Sequence, residues 1–245
     1  MSASINSEPW ENLEIVSPRS ERHYRDLPFH GFPHALETSA EIRVIAEDYA
    51  DRDIILNEDE LVDAEIGMLY HDAGFYVPIH VHHYKSKEAY ASSIMTADQR
   101  ELGMPEKRIQ RIGGGILGTQ LKIPPKTRVA KVMRQADLSN VTKQPPLQVV
   151  RNAVKLFRED EILKREYNHP GEIKSDLLSF VIGSYGVMSA YNQDDVSLGI
   201  MDRIEDGRSN FAVMLERGME CFMPPQATIL LRKLGLLPDA TEPTT

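Results

Sequence analysis

Apolar positions recur along the first two thirds of the chain at the spacing of an α-helix. Across residues 35–49, Ile42, Ile45, Ala46 and Tyr49 follow i, i+3, i+4 and i+7, placing them on one helical face. A second helix is expected over 58–70, with Leu61, Ala64, Ile66, Met68 and Leu69 turned inward. It runs into His71-Asp72 and stops before Gly74, a residue suited to a helix C-cap. Helical character returns over 86–102 and over 105–117, the latter interrupted by glycines. It returns again from about residue 126, where Val129, Val132, Met133 and Ala136 are spaced inward and Asp137 stands at the end, and finally over 146–167. Residues 75–84 read as a loop. No alternating stretch is long enough to seed a sheet, so the expected class is all-α.

The ends of the chain have a different texture. Residues 1–22 carry two prolines and no clear period, which predicts a loose arm anchored by Trp10 and Ile15. A main domain is expected over 23–168 and a helical extension packed on it over 169–237. The tail 238–245 reads as disordered.

Composition narrows the function. The 245 residues are 41% hydrophobic and 27% charged, as in an ordinary globular protein, and the formal net charge is −9. That balance argues against a large nucleic-acid footprint, which needs many cations on phosphates. A small phosphorylated substrate remains compatible, because a bound metal can supply local positive charge. The longest apolar runs are far shorter than a membrane span, and the N-terminus has neither the basic nor the apolar region of a secretory signal. One cysteine, Cys221, excludes an internal disulfide and fits a reducing compartment. The expected location is cytoplasmic, and a homo-oligomer is left open.

The chemistry-bearing pattern is His30-x3-His34, then His71-Asp72, then Asp137. Imidazole favours Zn, Fe, Ni or Cu, and carboxylate favours Mg or Mn, so a mixed set suits a divalent ion of intermediate hardness. Two His and two Asp leave positions on a six-coordinate ion for water and substrate. Neighbours in a regular helix point about 100° apart, so His71 and Asp72 can share an ion only where the helix ends.

These residues resemble the H…HD…D signature of HD-domain phosphohydrolases: His34, then His71-Asp72 within Leu69-Tyr-His-Asp-Ala-Gly74, then Asp137 within Ala136-Asp-Leu-Ser139. The stretch Phe29-His-Gly-Phe-Pro-His-Ala-Leu36 is similar to a Y-H-N-x-x-H motif of cyclic-nucleotide phosphodiesterases, with Gly31 where that motif has Asn. The resemblance spans residues 24–165. It implies a bundle of five or more helices around a metal site, with His34, His71, Asp72 and Asp137 as ligands. It further implies His30 as the group that protonates the leaving oxygen and Glu88 as an acidic position of some HD families, and in the reaction expected here Asp72 or Asp137 accepts the water proton. The implied reaction is metal-dependent hydrolysis of a small, nucleotide-like phosphoester using Mn, Mg, Ni, Co, Fe or Zn. One alternative is a di-iron oxygenase on the same scaffold, disfavoured because no histidine lies between Tyr84 and Asp137. The other is a non-catalytic binding module.

Other features are weighed against plainer readings. His80, His82 and His83 could complete a second metal site with Glu88, but a solvated loop at the pocket mouth explains them more simply. Lys85, Lys87, Lys122, Lys126 and Arg134 are candidate phosphate contacts, with Arg134 preferred because it lies about one turn before Asp137. Gly113-Gly-Gly-Ile-Leu-Gly118 matches a dinucleotide fingerprint in form only, because no strand precedes it; a helix end is expected. Residues 202–207 fail as a calcium loop, having Ile204 where an oxygen ligand is required. The C-terminal methionines Met188, Met201, Met214, Met219 and Met223 read as packing residues.

Overall fold

The computed structural model describes residues 8–50, 55–79, 83–120, 125–142, 146–171 and 173, and among these it is all-α, with seven helices and no strand. The helices are α1 (Leu13–Glu21), α2 (Phe32–Ala50), α3 (Glu58–Tyr70), α4 (Lys87–Glu101), α5 (Glu106–Gly118), α6 (Arg128–Thr142) and α7 (Pro146–Glu166). The expected C-terminal extension and tail, His80, His82, Lys122 and Cys221 lie outside the described residues. None of the described helices is long and apolar enough to cross a membrane.

The chain divides into two compact units. The first comprises residues 1–139 and 162–170, and the second residues 140–161 and 171–245. In the second, the described part is chiefly the first sixteen residues of α7, where Ala153 and Val154 are buried and the Asp160 carboxylate accepts from the Ile173 amide.

The first unit is organised around α3. Its N-terminus is held by a capping box: the Asn57 side chain accepts from the Glu60 amide, and the Glu60 carboxylate accepts from the Asn57 amide. From Ala64 to Tyr70 every residue is buried, Glu65 included, so this half of the helix is enclosed on all sides. Helix α2 covers one side, where the Ser39 hydroxyl donates to the Glu65 carbonyl and Arg43 pairs with Glu65. Helix α5 covers another, where Arg108 reaches the fully buried Asp63. Helix α4 packs on α5 and more lightly on α3.

Glycines allow the closest approaches. A Cβ on Gly118 would lie 2.6 Å from the Ala130 Cβ, and one on Gly115 would lie 2.3 Å from the Met133 sulfur. The Gly113–Gly118 stretch is therefore not an interruption: α5 runs through it, and the missing side chains let α6 approach.

Three local expectations are corrected. Residues 13–21 are a helix, not a loose arm: Asn12 caps it, and Val16 and Ser20, one turn apart, are buried despite Pro18. Trp10 is an anchor, buried beneath the Arg108 guanidinium at 4.5 Å, whereas Ile15 is exposed and Val16 takes its place. Helix α6 continues to Thr142, so Asp137 lies within it and not at its end.

Candidate metal centre

His34, His71, Asp72 and Asp137 each offer one ligand atom, and these four atoms all lie within 4.8 Å of one another. They come from three helices. His34 sits in the first turn of α2, where Pro33 is tolerated because first-turn amides have no helical partner. His71 is the C-cap of α3, its backbone still helical at φ −57° and ψ −30°, and Asp72 follows in the turn, where both reach the same point. Asp137 projects from α6 one turn beyond the buried Met133.

The pairwise distances fit a shared ion. Asp72 Oδ2 is 2.9 Å from His71 Nε2 and 3.6 Å from His34 Nε2. Asp137 Oδ1 is 3.3 Å from His71 Nε2 and 3.5 Å from His34 Nε2. Ligands held about 2.1 Å from an octahedral ion stand about 3.0 Å apart when adjacent and about 4.2 Å apart when opposite. Although His71 Nε2 and Asp72 Oδ2 are close, neither has a hydrogen-bond partner, and both are buried. Such atoms cost stability unless something occupies the point they face. The His71 ring is oriented by the Met68 carbonyl, 2.8 Å from Nδ1. Donation from Nδ1–H leaves the Nε2 lone pair facing the cluster, the arrangement usual for metal-binding histidines.

Electrostatics point the same way. Burial lowers His71's affinity for a proton, but the adjoining Asp72 and Asp137 carboxylates outweigh it and push the pKa up to about 10. For Asp72 burial acts upward, yet His71, Lys87 and His30 hold the carboxyl well below its ordinary range. Asp137 is likewise depressed, its burial outweighed by His71 and His34. His34 is lowered, chiefly by burial. Two ionised carboxylates thus draw positive charge to their centre, and the donor set fits a divalent cation. Asp137 is the most open of the four, its side chain 28% exposed.

Residues behind the doublet hold it in place. The Tyr24 hydroxyl donates to the Leu69 carbonyl at 3.0 Å, and the Gly74 amide donates to the His23 carbonyl at 3.0 Å. The buried Asp98 accepts from the Tyr70 hydroxyl at 2.9 Å and also meets His23 and Arg22. Gly74 has φ +74°, and a Cβ there would strike the Tyr90 ring, so only glycine turns the chain this tightly after the doublet.

The remaining expected site residues divide. His30 comes near, its Nε2 4.0 Å from Asp72 Oδ2, with its ring stacked on Phe75 at 3.8 Å and edge-on to Phe29 at 4.9 Å. It stands beside the ligand group without belonging to it. Glu88 is buried in the first turn of α4, and His83 is exposed on a left-handed turn; neither belongs to the four-residue group. Lys85 and Lys126 are exposed. Arg134, the preferred phosphate contact, is buried and donates to the carbonyls of Gly118 and Gln120, a role at the end of α5. Of the named cations it is Lys87 that reaches the centre, with Nζ 3.3 Å from Asp72 Oδ1 and 4.4 Å above the Phe75 ring. Phe75, which touches both Lys87 and His30, carried no signal beyond standing three residues after Asp72.

No family model and no curated protein matches the chain. The centre therefore rests on its own geometry.

Proposed function

We propose that the protein is a metal-dependent phosphohydrolase of the HD type, acting on a small, nucleotide-like phosphoester. The observation that carries this reading is the convergence of two imidazoles and two carboxylates from three helices, with His71 oriented by Met68. A divalent ion held by His34, His71, Asp72 and Asp137 supplies Lewis acidity toward a phosphoryl oxygen and toward water. The chain's residues do the rest. Asp72 or Asp137 accepts the proton of the attacking water as its oxygen bonds to phosphorus. His30 delivers a proton from Nε2 to the ester oxygen as the P–O bond breaks. His30 suits this task because it is beside the cluster and outside the ligand group. Phe29 and Phe75 restrict its ring.

The test is turnover of a panel of phosphoesters and nucleotides with Mn, Mg, Co, Ni and Fe supplied in turn. His30→Ala should lower turnover by about 10²–10⁴-fold with metal content unchanged. The deficit should shrink for a nitrophenolate leaving group, which departs without a proton. Protein that has taken up metal but hydrolyses no member of the panel would overturn the reading. Loss of metal in His30→Ala would move that residue into the ligand set.

A further inference from the structure

Lys87 occupies an unusual place for an ammonium. Ser86 caps α4 by accepting from the Ala89 amide, which sets Lys87 as the first helical residue, directed back across the turn that carries Asp72. Its Nζ meets Asp72 Oδ1 while Asp72 Oδ2 faces the His34, His71 and Asp137 donors. One carboxylate thus has the cation centre on one oxygen and an ammonium on the other. The ammonium is held against the Phe75 face, which itself stacks on His30. The Lys87 side chain keeps 37% of its exposure, against 4% for the Asp72 side chain it meets.

For cation binding alone this arrangement is unfavourable, because two positive centres sharing one carboxylate repel each other. It becomes favourable when a second anion spans them. A phosphoryl group has oxygens spaced much as a carboxylate's are, so it can meet both positive centres at once, with lysine acting as a point-charge phosphate contact. We propose that Lys87 and the metal centre together form an anion subsite that receives the substrate's phosphoryl group, preferring a dianionic, terminal one. This rests on the metal-dependent reading above and adds the residue that recognises the anion.

The two ligands give opposite expectations, which makes the test decisive. Calorimetry would measure Mn²⁺ binding to metal-free protein, then inorganic phosphate binding to Mn²⁺-loaded protein, for wild type, Lys87→Met and Lys87→Arg. Lys87→Met should bind Mn²⁺ as tightly as wild type or more tightly, and bind phosphate about 10–100-fold more weakly. Lys87→Arg should retain most of the phosphate affinity, and it serves as the folded control should the Met variant be unstable. Unchanged phosphate binding in Lys87→Met, or no phosphate binding by the loaded wild type, would overturn the subsite. Weakened binding of both ligands would also overturn it, making Lys87 a support for Asp72. Wild type that binds no Mn²⁺ would instead defeat the metal reading itself, and the subsite with it.

Discussion

Loading a divalent ion into the metal-free protein should release a proton from His71. The imidazole is buried between Asp72 at 2.9 Å and Asp137 at 3.3 Å, which push its pKa up to about 10. At pH 7 the metal-free centre therefore carries an imidazolium where the ion needs a lone pair. Asp72 and Asp137 are already ionised, and His34, lowered by burial, is already neutral. Displacing the His71 proton opposes ion binding at pH 7, so the affinity there lies below its alkaline limit. Between pH 6.5 and 8 the affinity should rise about tenfold per pH unit. Titrations in buffers of different ionisation enthalpy should show close to one proton released per ion. Affinity independent of pH over that range, with no proton released, would refute the reasoning. The same groups set the stability of the metal-free fold. His71's folded pKa is above its unfolded value of 6.5, so its contribution is complete below about pH 6.5 and is lost as pH rises through about 10. Asp72 and Asp137 are depressed, so theirs is present above the unfolded carboxylate range and is lost as pH falls. The chelated protein should thus melt highest at mildly acidic pH.

Three other outcomes are expected. Chelation should lower the thermal midpoint, since an ion present at about 100 times its Kd stabilises the fold by about 2.7 kcal/mol, and Asp72→Ala should abolish the difference; a melt indifferent to chelator in protein that has lost its metal would contradict this. Asp63→Ala should cost about 3 kcal/mol in denaturant unfolding, because it removes the fully buried carboxylate that meets Arg108 and Arg111 and leaves Arg108 only Glu11 and Asp59, whereas the pair itself contributes little, as burial holds Asp63's carboxyl above its ordinary value. Gly118→Ala should cost about 1–3 kcal/mol and weaken cation binding, because its Cβ meets the Ala130 Cβ on the helix that carries Asp137; an unchanged ion affinity would show that α6 absorbs the contact locally.

Local periodicity was enough to reveal six of the seven described helices, α2 to α7. The apolar positions from Leu61 to Leu69 mark the course of α3, and Gly74 marks where it ends. These signals act within a turn or two of the chain, so they can be read from the letters alone. The four prospective ligands were legible for a related reason. A histidine beside an aspartate is by itself a weak signal, and it was the ordered set His34, His71-Asp72, Asp137 that resembled the H…HD…D signature and so implied the ligands. What local pattern does not contain is which distant side chains meet. Arg134 and Lys87 are equally cationic in sequence, yet packing of α6 on α5 turns Arg134 into the carbonyls of Gly118 and Gln120. The turn after Asp72 places Lys87 fifteen residues downstream against its carboxylate. The glycines of α5 look like a break in the sequence because their role depends on Ala130 and Met133, residues of another helix. Helix α1, weakly patterned and containing Pro18, forms because Val16 and Ser20 are buried, and its end is tied to α4 through Arg22 and Asp98. Local periodicity determined where six of the seven described helices lie. Burial between helices, which depends on all of them at once, decided which charges face the metal centre and which are consumed in holding it together.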